Sequence, residues 1–325
     1  MPGPKTHNIF YKDLKKQLNT NTLDSFPNYD DYSIFAQGHD FLIYHNFYKI
    51  WNNKQLNKNI ADSSTLQEGK ISEFVYNYMN IAINNGSIEK EDVRLFLGPG
   101  YLMHHVLDAY THPLIIFYSG DHTRDLNNKT WEHGIVENLL DIYLMEHLEN
   151  KNPREYPVYK DFIFSHMVSP DLINTLNLAL EETYGIKDGG QRFAESIYQV
   201  EMFIKKFKYD PTGLKRVFFD LVDPILKGTK SFSYNRDCDN NLDFLNLNHE
   251  EWLNPNDNKI TSTMSFLDLY KKALNDGANI IDELEKIAKH GVISYLDICD
   301  LVPNVSSITG LESGKKLELK YTKKR

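Results

Sequence analysis

The chain has only two cysteines, Cys238 and Cys299, in 325 residues. That is too few for a disulfide framework, so reduced thiols are the simpler expectation. No apolar run approaches the length of a membrane span, and the first residues, MPGPKTHNIFYKDLKK, contain no apolar stretch of the kind a secretory signal requires. A cytoplasmic location is the expectation that follows. Positive charge is short too: 36 Lys and Arg against 45 Asp and Glu leave a net charge of −9, which argues against holding nucleic acid on a broad basic face. A nuclease pocket built around metal ions stays open, because the ions themselves bring positive charge. Convincing strands are scarce, and no alternation of strands with helices implies a parallel sheet.

Helical periodicity is abundant. Apolar residues recur at three- and four-residue steps over 9–18, 70–83, 92–112 (interrupted by Gly98-Pro99-Gly100), 131–148, 170–184, 192–207, 213–226 and 265–288. Ser169-Pro170 and Asp210-Pro211 place a capping side chain before a proline, and Thr261, Ser262 and Thr263 precede the helix at Ser265. Residues 150–159 and 186–190 read as turns, 158–164 is ambiguous, and 228–263, rich in Asn and Asp, is the longest irregular stretch. The expectation is an all-α protein, a single multi-helix domain over 1–310 followed by a basic tail over 311–325. From Lys315 the tail holds six basic residues and one acid; it is expected to be solvated, with a weak contact to anionic lipid as the alternative.

The chemistry concentrates between Tyr101 and Glu137. His104 and Asp108 stand four residues apart, His112 follows four later, and His133 and Glu137 repeat the spacing in the next segment. A step of four leaves helical side chains about 40° apart around the axis, so each pair can grip one ion. A lone histidine on an apolar helix face is ordinarily hydrogen-bonded core; two His/carboxylate pairs set among apolar residues shift the balance toward a metal site. Mixed imidazole and carboxylate donors suit zinc, whereas an all-oxygen set suits calcium or magnesium. His105 must point about 100° away from His104, toward packing rather than ligation.

The segment GYLMHHVLDAYTHP followed by HGIVENLLDIYL resembles the paired signature of the zinc-dependent phospholipase C family, whose helical fold is shared in outline by the S1/P1-type nucleases. Thr6-His7, the FAQGHDFLIYH segment with its Gly-x-Asp element, and LDFLNLNHEEWLNP with SFLDLYKKAL resemble further pieces, so the likeness runs in patches from Thr6 to about Leu274. It implies two or three zinc ions. His112, His133 and Glu137 would hold one, His104 and Asp108 a second, and Asp108 would bridge to a third near His7. Asp40 would contact the cluster or its water, as ligand or as general base. Where the family supplies another histidine, this chain has Gln67, with His45 as a replacement ligand; where secreted members use the freed amino terminus, Met1 or Pro2 would have to serve. His39 has no assigned part, and Asp141 is either a partner for an imidazole N–H or a surface residue. Tyr44, Phe41, Phe117, Tyr118 and Trp131 are candidates to wall a pocket able to stack on a cationic headgroup or a base, with ordinary core or rim packing the better expectation for each alone.

What the resemblance implies is a zinc-dependent phosphodiester hydrolase acting on a phospholipid or another intracellular ester, with transient contact to a membrane surface. A single-strand nuclease of the S1/P1 type is the alternative among hydrolases. A metal-stabilised scaffold that has lost catalysis is the alternative outside them, favoured by Gln67 and opposed by retention of the five central ligands.

Overall fold

The computed structural model describes residues 3–49, 53–120, 130–226, 229–237 and 243–323, the side chains of 53–56, 130–132 and 226 excepted. It is mostly helical, 65% by residue. In chain order the helices are α1 (Pro4–Lys15), α2 (Thr20–Leu23), α3 (Phe41–Tyr44), α4 (Asn53–Gln67), α5 (Ile71–Asn84), α6 (Glu91–Leu95) and α7 (Met103–Ser119). They continue with α8 (Thr130–His147), α9 (Pro170–Tyr184), α10 (Gly189–Phe203), α11 (Leu214–Leu226), α12 (Phe266–His290) and α13 (Tyr295–Leu301). A 3-10 segment, Tyr29–Asp40, leads into α3. Between α11 and α12, β1 (Trp252–Asn254) and β2 (Asp257–Ser262) pair antiparallel.

Local chemistry explains several boundaries. Ser169 caps α9 by accepting the Leu172 N–H, and Gly185 ends the helix in the left-handed region at φ 75°. Ser265 and Asp268 form a capping box that starts α12. The Gly98-Pro99-Gly100 run does not break the path into α7: Phe96–Leu102 is a π-helical turn joining α6 to α7 without a loop. Such turns re-aim the side chains that follow, and here those side chains include His104.

α7 lies at the centre, packed against α1, α8, α12, β1 and the 3-10 segment. Its interior Pro113 lacks an N–H for the Ala109 carbonyl; Gly310, at φ 65°, comes so close that a Cβ there would sit 2.5 Å from that oxygen. α9 packs against both α5 and α10 beside this core.

Two expectations, on 228–263 and on the C-terminal segment, need correction, and two stretches left open take shape. The irregular stretch 228–263 contains the β1–β2 hairpin. Helix α4 arises in NKQLNKNIADSSTLQ, too polar to show a periodic face. The ambiguous 158–164 holds a 3-10 turn, Val158–Phe162. The basic C-terminal segment is docked rather than solvated: Leu319 is buried against Ile116 and Ile308, the Lys320 and Tyr321 amides donate to the Pro255 carbonyl, and the Lys323 amide donates to that of Phe117. Cys299 is a free thiol in α13, and Cys238 lies outside the described residues.

Candidate metal centre

Helix α1 begins at Gly3 without a side-chain cap of its own. Its orphan N–H groups are met from across the core by Asp141 of α8, which accepts from the Thr6 amide at 2.7 Å, the Thr6 hydroxyl at 2.7 Å and the Lys5 amide at 3.3 Å. Tyr234 donates its hydroxyl to the second oxygen at 2.6 Å. Asp141 is therefore neither a surface residue nor an imidazole partner. It fastens the start of α1, and with it His7, to the helix that carries His133 and Glu137. Gly3 is required there, since a Cβ would lie 2.3 Å from the Asp141 carboxylate. Lys5, fully buried, adds ion pairs to Glu149 at 2.7 Å and Asp161 at 2.6 Å.

The 3-10 segment ends in a kink at Gly38, φ 49° and ψ −132°. A side chain there would strain the backbone and meet the His104 ring, 2.4 Å from its Cγ. The kink sets both His39 and Asp40 against α7. His7, His104 and Asp108 then form one group, His39, Asp40 and His104 a second, and His112, His133 and Glu137 a third, the donor atoms of each lying within 4.8 Å of one another. Asp108 Oδ1 is 3.3 Å from His7 Nε2, and its Oδ2 is 3.4 Å from His104 Nε2 and 3.7 Å from His39 Nε2. The His7 and His104 rings stack at 3.7 Å, and His39 meets His104 edge-on at 4.5 Å. His133 Nε2 is 2.8 Å from Glu137 Oε1.

Backbone carbonyls fix the tautomers. His104 Nδ1 lies 2.8 Å from the Ala36 carbonyl and His112 Nδ1 2.8 Å from that of Ser307. A carbonyl only accepts, so Nδ1 carries the proton and Nε2 turns its lone pair to the cluster. Ser307 is held in turn by its amide, which donates to the Gln67 carbonyl at 3.0 Å. Ser119 Oγ is 3.0 Å from His133 Nδ1.

Burial pushes the His7 imidazole down to about 4, and lowers His39, His112 and His133 as well, so these rings are neutral near neutral pH. His104 moves the other way: burial opposes its charge, but the Asp108 carboxylate outweighs it. Asp108 stays well below the usual carboxylate range although burial opposes ionisation, because His104 and His112 face it. Both Asp108 oxygens, Asp40 Oδ1, both ring nitrogens of His7 and His39, and Nε2 of His104 and His112 are buried without a hydrogen-bond partner. Leaving that many polar atoms unmet is costly, and a divalent cation meets them at once. The donor set therefore fits a metal ion. Glu137 and Asp40 are the most exposed members of the groups, with side chains 22% and 8% exposed.

All seven residues expected from the sequence, His7, Asp40, His104, Asp108, His112, His133 and Glu137, sit in these groups. His39 joins them; its position beside Asp40 was visible, but only the Gly38 kink turns both inward. One other expectation changes. His45 pairs with Glu195 at 2.8 Å and takes no place in the groups. Phe41 packs into the core against Phe193 and Tyr118 donates to Asn246, while Tyr44 lies near enough to Asp40, Asp141 and Glu137 to feel their charges. Burial and the charges of Asp40, Asp141 and Glu137 raise the Tyr44 phenol well above its ordinary value. Met1, Pro2 and the Trp131 side chain lie outside the described residues. His105 turns away and meets the Val305 carbonyl at 3.0 Å. Lys208, one of three lysines in IKKFK, is buried and reaches Asn138 of α8 at 3.2 Å and the Ser231 carbonyl at 2.8 Å; nothing in that run marks which lysine turns in.

Comparison with protein-family models, curated proteins and solved structures gives no match. Among the described residues no helix is long and apolar enough to cross a membrane.

Proposed function

We propose that the chain is a zinc-dependent phosphodiester hydrolase of the phospholipase C type, in the helical fold shared with P1-type nucleases. The observation that carries this reading is the convergence of five imidazoles and three carboxylates into three donor groups, two of them sharing His104. Mixed N and O donors favour zinc over the hard cations. His112, His133 and Glu137 would hold one ion, and His7, His39, Asp40, His104 and Asp108 would divide between the other two positions. Zinc bound there supplies Lewis acidity toward a phosphoryl oxygen and lowers the pKa of a nearby water.

The chain's own groups do the rest. Imidazoles that ligate metal do so in the neutral form, so five of them against three carboxylates would leave a loaded cluster cationic enough to attract a phosphate ester. Asp40 Oδ1, buried against the cluster without a hydrogen-bond partner, can orient a water held there and take its proton. Tyr44 keeps its proton and can only donate from the hydroxyl to an anionic group. Asp141, Ala36 and Ser307 hold the ligands in place, so little reorganisation is needed when ester binds.

The test is a substrate panel on metal-loaded protein: a nitrophenyl phosphodiester and a short-chain phospholipid beside single-stranded DNA and RNA, at matched salt. Faster cleavage of the first two supports the proposal. The reverse order supports a nuclease, and no turnover of any ester supports a scaffold.

A further inference from the structure

Helix α11 is built inside out. Leu214, Val217, Phe218, Leu221 and Ile225 fall within an arc of about 100° around the helix axis, the pattern of a core-facing stripe. They are instead the outward face, 72%, 57%, 59%, 73% and 82% exposed. The polar residues turn toward the protein. Asp223 is buried and accepts from the Thr229 hydroxyl and the Lys230 amide, both at 3.0 Å. Asp220 pairs with Arg236, and Arg216 donates to the Asn235 carbonyl. Phe219 alone of the large apolar residues in 214–225 is buried, edge-on to Phe232, which continues to Phe207. The helix is thus firmly seated by its polar side.

We propose that the outward face of α11 seats the protein on an anionic lipid surface. Charge selects this occupant over a second copy of the chain. Of the two acids of α11, Asp223 is buried and Asp220, though partly exposed, is paired with Arg236, so the helix offers no unpaired carboxylate beside the apolar face. At its N-terminal end stand Lys205 and Lys206, both exposed, next to α11 because Lys215 Nζ reaches the Lys205 carbonyl at 3.3 Å. A second copy laid on this face would bring no acid from α11 to meet those cations. Anionic headgroups would meet them while the acyl boundary takes the leucine, isoleucine and phenylalanine side chains, as for helices that lie in the plane of a membrane interface.

Position adds to the argument. Residues 229–232 pack between α11 and α8, and Ser231 lies 3.1 Å from where a Cβ on Gly134 would be, one residue from His133. The apolar face therefore lies one layer outside the helix that carries Glu137. The proposal stands apart from the hydrolase reading, since lipid contact needs neither metal nor turnover.

The experiment is cosedimentation of the purified full-length chain with vesicles of phosphatidylcholine alone and of phosphatidylcholine mixed with phosphatidylserine, with and without added salt. Binding to the mixed vesicles, weakened by salt, is expected. The double variants Leu221→Glu/Ile225→Glu and Lys205→Glu/Lys206→Glu should each reduce that binding about tenfold or more, with unchanged far-UV circular dichroism. If the glutamates impair folding, Leu221→Ser/Ile225→Ser serves in their place with the same expectation. Wild type that ignores mixed vesicles, or folded variants that bind as well as wild type, would overturn the proposal. So would a wild-type dimer that Leu221→Glu/Ile225→Glu converts to monomer with no vesicle binding in either form.

Discussion

Helices α7 and α11 break the rule of apolar inside and polar outside in opposite directions. α7 buries His104, Asp108 and His112 with lone pairs that no hydrogen bond meets, while α11 exposes five large apolar side chains and buries Asp223. Each departure costs stability, and neither is repaired by its surroundings among the described residues. The Ala36 and Ser307 carbonyls satisfy only Nδ1 of His104 and His112, which leaves each Nε2 facing its own donor group. The partners of α11 satisfy only its inner side. Departures of this kind cluster where a protein meets something other than itself: on our two proposals, a cation for α7 and a lipid surface for α11.

The largest expected effect breaks the α7 side. Asp108→Asn or His133→Ala should remove metal and activity together; losing several kcal/mol of transition-state stabilisation lowers hydrolysis about a thousandfold or more. Full activity in either variant would mean that the groups are only a polar core. His105→Ala, one residue from a ligand but turned to Val305, should keep its metal.

Stability sharpens the contrast. Leu140, fully buried in α8, should cost about 2–5 kcal/mol when changed to alanine, whereas Leu221→Ala should stay within about 0.5 kcal/mol. Equal losses in chemical denaturation would show that the outer face of α11 is packed after all. Gly38→Ala adds a backbone cost of roughly 1–3 kcal/mol for a positive-φ conformation that only glycine adopts freely. Its clash with His104 should lower metal affinity too, which titration of the metal would read.

The two helices also differ in how much could be read from the chain. The four-residue spacing of His104, Asp108 and His112, and of His133 and Glu137, survives into the structure because helix geometry alone decides which side chains share a face. His39 could not be read, because its direction depends on a positive φ at Gly38. The carbonyls that orient His104 and His112 carry no residue identity, and Asp141 finds its partners 135 residues away. α9 was legible to the residue because Ser169, Pro170 and Gly185 mark its ends, while α4 has no apolar periodicity to mark it. For α11 the pattern gave an amphipathic helix but not which face points out. Periodicity reports that two faces differ, and only tertiary contacts say which one is covered.

A smaller effect concerns acid. Burial holds His105 down to about 3, against an ordinary value near 6.5 in the unfolded chain. The folded state therefore binds fewer protons than the unfolded state between these values. The His105 contribution is fully present above about pH 6.5 and is lost progressively as pH falls toward 3. His105→Gln should flatten the stability profile over that window in denaturant titrations at stepped pH. An unchanged profile would place the acid sensitivity elsewhere.

The central claim is that His7, His39, Asp40, His104, Asp108, His112, His133 and Glu137 hold metal, and elemental analysis of the purified protein tests it most directly. The account predicts about two or more zinc ions per chain, released by chelation with a fall in melting temperature and restored with it when zinc is returned. Less than one ion per chain in a carefully prepared sample, with no uptake of zinc and no change in melting temperature when it is supplied, would contradict it.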